Sequence, residues 1–242
     1  MTVSPTSTKR IVGVIGGMGP AATVHFMARV LDLTPAQSDQ DHLRLIVDNN
    51  GAVFNRNASI GGTGPSPAPV LVSMARGLER AGAEMLVMPC NTAHAFAGAI
   101  RAASDLPFID LIEAASDEAA AHQASRVGVL AADGCLQAGL YQHALTHRRV
   151  TPVLLEPRAQ TRFMGLLSAI KAGDGGPAVR AGMKVLADDL VAAGAEALVA
   201  GCTEVPLVLG PEDVAVPLTD SLDALARATI AAATRAPQGH AR

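Results

Sequence analysis

Short apolar runs that stop at glycine or proline alternate along the chain with longer, alanine-rich stretches. Ile11-Val12-Gly13-Val14-Ile15 reads as a strand buried on both faces, and Gly16-Gly17-Met18-Gly19-Pro20 turns it into a helix predicted from about Ala21 to Leu31. Leu43 to Val47 predicts a second strand, and Leu71 to Arg80 a helix entered through the proline-punctuated loop Gly61 to Pro69. Met85 to Met88 predicts a third strand, followed by a helix from Phe96 to Ala103. This alternation predicts an α/β protein built of βαβ units, with a parallel sheet covered by helices on both faces.

The second half repeats the first. Val12-Gly13-Val14-Ile15 recurs as Val127-Gly128-Val129-Leu130, and LPFIDLIEA from Leu106 recurs as VPLTDSLDA from Val216. Between them AGAEMLVMPCNT, with Cys90, recurs as AGAEALVAGCTE, with Cys202. The separations are 115, 112 and 110 residues, in the same order, and they carry Glu and Asp along with the apolar positions. The pattern predicts an internal duplication: two pseudo-symmetric three-layer lobes with parallel sheets and a site in the cleft between them. The expected lobes are 9–113 with 217–242, and 114–216.

Composition narrows the class. The chain has 242 residues, 49% apolar and 17% charged, a globular balance with enough length for a large core. A net charge of −3, five Phe, one Tyr and no Trp give no footing for nucleic acid or an anionic membrane. Three cysteines argue against a disulfide framework and for a reducing compartment. MTVSPTST lacks the apolar stretch of a signal peptide, and no window has the length of a membrane span. The expectation is a soluble, cytoplasmic protein.

Ligands of open parallel sheets bind beyond the carboxyl ends of the strands, where Cys90 and Cys202 both fall. A thiol beside a helix N-terminus is easier to ionise, because free N–H groups stabilise thiolate. Two thiols facing one carbon suit racemisation: one acts as base, the opposed one as acid, and the roles exchange for the other enantiomer. Asn91, Thr92 and Thr203 are placed to donate hydrogen bonds to the substrate's carboxylate. The glycine loop at 16–20 could receive an anion, but it lacks the G-x-G-x-x-G spacing, and Asp48 lies 29 residues past it, so a nicotinamide cofactor fits poorly. His94, four residues after Cys90, leaves two other readings open. One is a thiol–imidazole hydrolase; the other is a metal site of Cys90, His94 and Cys202.

IVGVIGGMGPAAT, MPCNTAHAF and AGCTEVPLVL together resemble the signature segments of the aspartate racemase branch of the Asp/Glu racemase superfamily, with similarity from Ile11 to about Ala233. The resemblance implies a cofactor-independent amino-acid racemase, without pyridoxal phosphate, metal or nucleotide, with a small amino acid as substrate and a homodimer as assembly. It implies Cys90 and Cys202 as the acid–base pair and Glu204 as a helper of proton traffic at Cys202. Asn91, Thr92 and Thr203 would hold the α-carboxylate, and Arg56 and Lys171 the side-chain carboxylate. Met18, Asn50 and Cys135 complete the implied substrate-binding set.

Two stretches depart from that pattern. Phe54-Asn55-Arg56-Asn57 stands where the family commonly has Pro-Asp-Arg-Thr. Gly134-Cys135-Leu136-Gln137-Ala138-Gly139, preceded by Asp133, stands where it has Gly-Thr-x-x-Ser-Gly. Aspartate is the expected substrate, with glutamate or another amino acid as alternative, since an added Asp near the site disfavours a dicarboxylate. A same-fold isomerase or decarboxylase of a small diacid and a non-catalytic anion-binding protein are the rival functions.

Overall fold

The computed structural model describes residues 9–235. Its first half runs β1 (Val12–Gly16), α1 (Pro20–Leu33), β2 (Leu45–Asn49), α2 (Arg56–Ile60), α3 (Ala68–Arg80), β3 (Met85–Val87), α4 (Ala97–Ala103), β4 (Phe108–Ile109) and α5 (Leu111–Ala121). The second half runs β5 (Arg126–Ala131), α6 (Asp133–Gln137), α7 (Leu140–His147), β6 (Thr151–Val153), α8 (Pro157–Lys171), α9 (Pro177–Ala192), β7 (Ala197–Gly201), β8 (Leu218–Asp220) and α10 (Ser221–Thr234). The strands form two four-stranded sheets, ordered β2-β1-β3-β4 and β6-β5-β7-β8, with every pairing parallel. The same order in both halves is the expected duplication seen in topology.

Each repeated residue has the same job twice. Gly82 and Gly194 end α3 and α9 with φ of 94–95°, a left-handed conformation that favours glycine. There Ala83 N–H bonds Leu78 O and Ala195 N–H bonds Leu190 O, closing the same helix cap. The glutamate that follows reaches back to the neighbouring strand's entry: Glu84 accepts from Ile11 N–H at 2.7 Å and Glu196 from Ser125 N–H at 2.6 Å. Asp110 and Asp220 cap α5 and α10, each accepting from two backbone N–H groups of the first turn.

Three apolar layers follow from alternation along strands covered on both faces. Ile15 and Leu86 face α3 and α4, and Leu130, Leu198 and Ala200 face α8 and α9. Val12, Val14, Met85, Val87, Val127, Val129 and Val199 face one shared central core with Phe26, Tyr141, Leu111 and Leu222. Helix α5 packs on β7, β8 and α7, α10 packs on α1 and against strands of both sheets, β3 and β4 as well as β7 and β8, and the two helices lie against each other. The expected lobe limits at 113 and 217 cut α5 and leave β8 outside the sheet it pairs with. We propose that the lobes divide after Asp110 and after Asp220, with α5 laid onto the second lobe and α10 lying on the seam between the two.

Sequence and structure differ in minor places: α3 starts at Ala68, inside the predicted loop, and α1 runs on to Leu33. The second strand starts at Leu45 instead of Leu43, and a five-residue helix, α2, occupies a segment with no periodicity to announce it. Asn55 starts that helix by accepting from Ala58 N–H.

Gly13 and Gly128 occupy matching positions where the cap alanine meets the strand. A Cβ at Gly13 would lie 2.8 Å from Ala83 Cβ, and one at Gly128 would lie 2.5 Å from Leu198 Cδ2 and 3.1 Å from Ala195 Cβ. Gly13→Ala and Gly128→Ala are each expected to cost about 1–3 kcal/mol by overpacking. A lower urea midpoint at unchanged m-value is the expected result; an unshifted midpoint would mean that neither contact limits the packing.

Candidate active site

Beyond the carboxyl ends of β3 and β7, Cys90 and Cys202 line one cavity of about 60 Å³, with Met18, Arg56, Asn91, Thr92, Lys171, Thr203 and Glu204 around it. That volume holds about two waters at roughly 30 Å³ each, about the size of the reacting end of a small amino acid. The N-terminal half contributes the loop after β1, the start of α2 and the turn after β3; the second half contributes the end of α8 and the turn after β7.

The two thiols are both buried but differ in their charged neighbours. Burial pushes the Cys90 thiol up; the Arg56 guanidinium and the Ala93 N–H oppose that shift by favouring thiolate. Burial pushes the Cys202 thiol well above the ordinary range, the Glu204 carboxylate raises it further and the Lys171 ammonium opposes them. Glu204 and Lys171 act in the same senses on Cys90, after the Arg56 effect. Cys202 Sγ donates to Glu204 Oε2 at 3.0 Å, and Thr203 Oγ1 donates to the same oxygen at 3.1 Å. Lys171 Nζ lies 3.8 Å from Glu204 Oε1. Arg56 bonds the carbonyls of Val53 and Phe54, while its Nε is buried without a hydrogen-bond partner.

Some residues expected to face the substrate are committed elsewhere. Asn91 lines the cavity, yet its Oδ1 accepts from Tyr141 O–H at 2.6 Å and its Nδ2 donates to Ser221 Oγ at 3.1 Å. Its side chain therefore ties α7 and α10 to the turn after β3. Asn50 is not in the cavity wall: its Oδ1 accepts from Ala52 N–H, and its backbone packs under Gly17. The glycines at 16 and 17 are thus filled by the protein's own Thr23 and Asn50, and not by a ligand. Cys135 is fully buried in the central core, behind the cavity, with its thiol pushed up by desolvation. Asp133 is exposed and accepts from Gln160 Nε2 at 2.7 Å, so the carboxylate expected to repel a dicarboxylate points away from the site.

Asn55, Asn57 and Ala132 line the cavity and were not anticipated. Asn57 Oδ1 accepts from Gly134 N–H at 2.9 Å, and a Cβ on Gly134 would lie 2.6 Å from that oxygen. The two stretches that depart from the family pattern therefore meet each other across the cleft. That shared departure was the signal for Asn57.

His94 has a fixed tautomer. Its Nε2 accepts from Leu111 N–H at 3.0 Å, so Nδ1 carries the proton and donates to Cys90 O at 2.8 Å. With both nitrogens used, the ring neither activates the Cys90 thiol nor binds a metal; it anchors the cysteine's backbone to the start of α5. Burial holds its pKa below the ordinary value of 6.5. A histidine kept neutral in the fold but able to charge when unfolded makes stability fall as pH drops below about 6.5. The slope contributed is at most about 1.4 kcal/mol per pH unit. Urea unfolding between pH 7 and 5 should show this loss, and His94→Gln should flatten it; identical slopes would contradict the assignment.

Comparison with known proteins agrees with the geometry. The Asp/Glu/Hydantoin racemase family model matches residues 15–229. The chain is 26% identical to the broad specificity amino-acid racemase RacX of Bacillus subtilis, over 91% of this chain and 96% of that protein. It is 33% identical to the glutamate racemase of Deinococcus radiodurans, over 55% of this chain and 46% of that protein. Among solved structures, Picrophilus torridus aspartate racemase superposes with a TM-score of 0.84 at 27% identity, covering 93% of this chain and 94% of that one. No helix among the described residues is long and apolar enough to cross a membrane. With both cysteine turns, the paired sheets and the cavity inside the matched region, the chain belongs to the Asp/Glu/Hydantoin racemase family, as an amino-acid racemase.

Proposed function

We propose that the protein racemises aspartate by a two-thiol mechanism without a cofactor. The observation that carries this reading is the pair of repeat-related cysteines on one small cavity, with Arg56 favouring thiolate at Cys90 and Glu204 holding the proton on Cys202. The Cys90 thiolate removes the α-proton, and the electron pair passes into the α-carboxylate as an enediolate. Cys202 then delivers its proton to the opposite face. The proton lost from Cys202 equals the one gained by Cys90, and the reverse reaction restores both. Thr92, with backbone N–H groups of the two turns, holds the α-carboxylate where negative charge grows. Arg56 and Lys171 neutralise the side-chain carboxylate, which favours an acidic amino acid. Glu204 is a positioning residue, keeping the Cys202 proton in place. The family reading also carries a homodimer, for which the exposed α1 residues Val24, Met27 and Leu31 offer an apolar stripe; sedimentation should give twice the chain mass, and a monomer would contradict it.

Proton NMR in D2O with L-aspartate tests the reading. Loss of the α-proton signal with appearance of D-aspartate is expected; exchange of no amino acid, with both thiols intact, would overturn it. Cys90→Ala and Cys202→Ala should each abolish racemisation, and the serine variants should be nearly as inactive, since a hydroxyl ionises too poorly. Full activity in either alanine variant excludes two thiols. A base whose pKa is raised is mostly protonated at neutral pH, so kcat/KM should climb with pH on the alkaline side. Glu204→Gln removes a charge that raises Cys202. It should move the limb to lower pH in the direction that uses Cys202 as base; an unmoved limb would remove Glu204 from the mechanism.

A further inference from the structure

A second space adjoins the cavity. It has a volume of about 270 Å³ and shares Arg56, Lys171, Thr203 and Glu204 with the cavity as a common wall. The rest of its lining is Gly19, Pro20, Ala21, Ala22, Ile170 and Leu207, with His25 at one side. The smaller cavity has room for the carboxylate, amine and α-carbon of an amino acid and little more, so a long side chain must leave it. An aspartate side chain ends at the wall, where its carboxylate meets the two cations. A longer one continues past them.

The wall consists of long side chains, and Lys171, 48% exposed at its side chain, is held there by one 3.8 Å ion pair. Displacing it gives up that one contact, while Glu204 keeps its bonds from Cys202 and Thr203. Past the wall the surface is mainly aliphatic, which favours an uncharged tail. Arg56 and Lys171 repel a cationic one. Glu204 offsets only one of these two cations, so the wall keeps a net positive charge. Two polar atoms of the lining residues, His25 Nδ1 and Arg56 Nε, are buried with no hydrogen-bond partner.

We propose that this vestibule is a side-chain subsite for a second substrate class, neutral amino acids with extended unbranched side chains, of which methionine and glutamine are the type. The proposal rests on the racemase reading above and extends it beyond acidic substrates.

The test compares L-aspartate, L-methionine and L-lysine by α-proton exchange in D2O and chiral chromatography, in the wild type and two variants. Ala21 is exposed in the first turn of α1 and outside the reacting cavity, so Ala21→Leu fills the vestibule alone. The wild type should racemise methionine at least about tenfold better than lysine. Ala21→Leu should lower kcat/KM for methionine about tenfold while aspartate stays within about twofold. Leu207→Ala, also at an exposed position, should shift preference from methionine towards phenylalanine by about fivefold. Turnover of aspartate but not methionine, lysine equal to methionine, equal loss of both substrates in Ala21→Leu, or an unchanged preference in Leu207→Ala would each overturn the subsite and leave the racemase standing. Exchange of none of the three would overturn both.

Discussion

The Glu204 carboxylate is buried beside a thiol, and an ionised group taken out of water must find compensation nearby. It draws that compensation from the Cys202 thiol, the Thr203 hydroxyl and the Lys171 ammonium. The same hydrogen bond that satisfies the carboxylate fixes the proton on Cys202. On the opposite turn the charge next to the thiol is positive, from Arg56. The cavity is therefore pseudo-symmetric in backbone and asymmetric in charge. The proposed mechanism needs one ionised and one protonated thiol in each turnover; burial raises both, and from that common base Arg56 favours thiolate at Cys90 while Glu204 favours thiol at Cys202.

Such a site also needs both halves held in register. The shared central core does much of this, since the inner faces of both sheets and α5, α10, α1 and α7 bury their apolar residues together. Amides then tie the seam at the cavity itself. Asn91 links the Cys90 turn to Tyr141 and Ser221, and Asn57 links α2 to the Gly134 backbone. Neither bond involves a reacting group, and each spans the two halves.

Much of this was legible in the sequence because repeated local tasks leave repeated residues. A helix cap needs a left-handed glycine, a strand entry needs an acceptor, and a helix start needs Asp. These requirements wrote AGAE and the Asp110 and Asp220 positions twice. The two cysteines were legible for the same reason. Side-chain direction was not. Whether Asn91 faces substrate or Tyr141, and whether Asp133 faces the cavity or Gln160, depends on partners 50 and 27 residues away that no local pattern encodes. The placement of α5 on the second sheet and of α10 against both is likewise a matter of tertiary packing.

The central claim is that unlike charges set the two thiols apart, and alkylation as a function of pH measures it directly. Purified protein would be pulsed with iodoacetamide across pH 6 to 11, with the label at Cys90 and Cys202 quantified separately by mass spectrometry. The account predicts that Cys90 reacts with the lower apparent pKa and Cys202 with the higher, and that Glu204→Gln narrows the gap. Coincident titrations, or Cys202 ionising first, would contradict it.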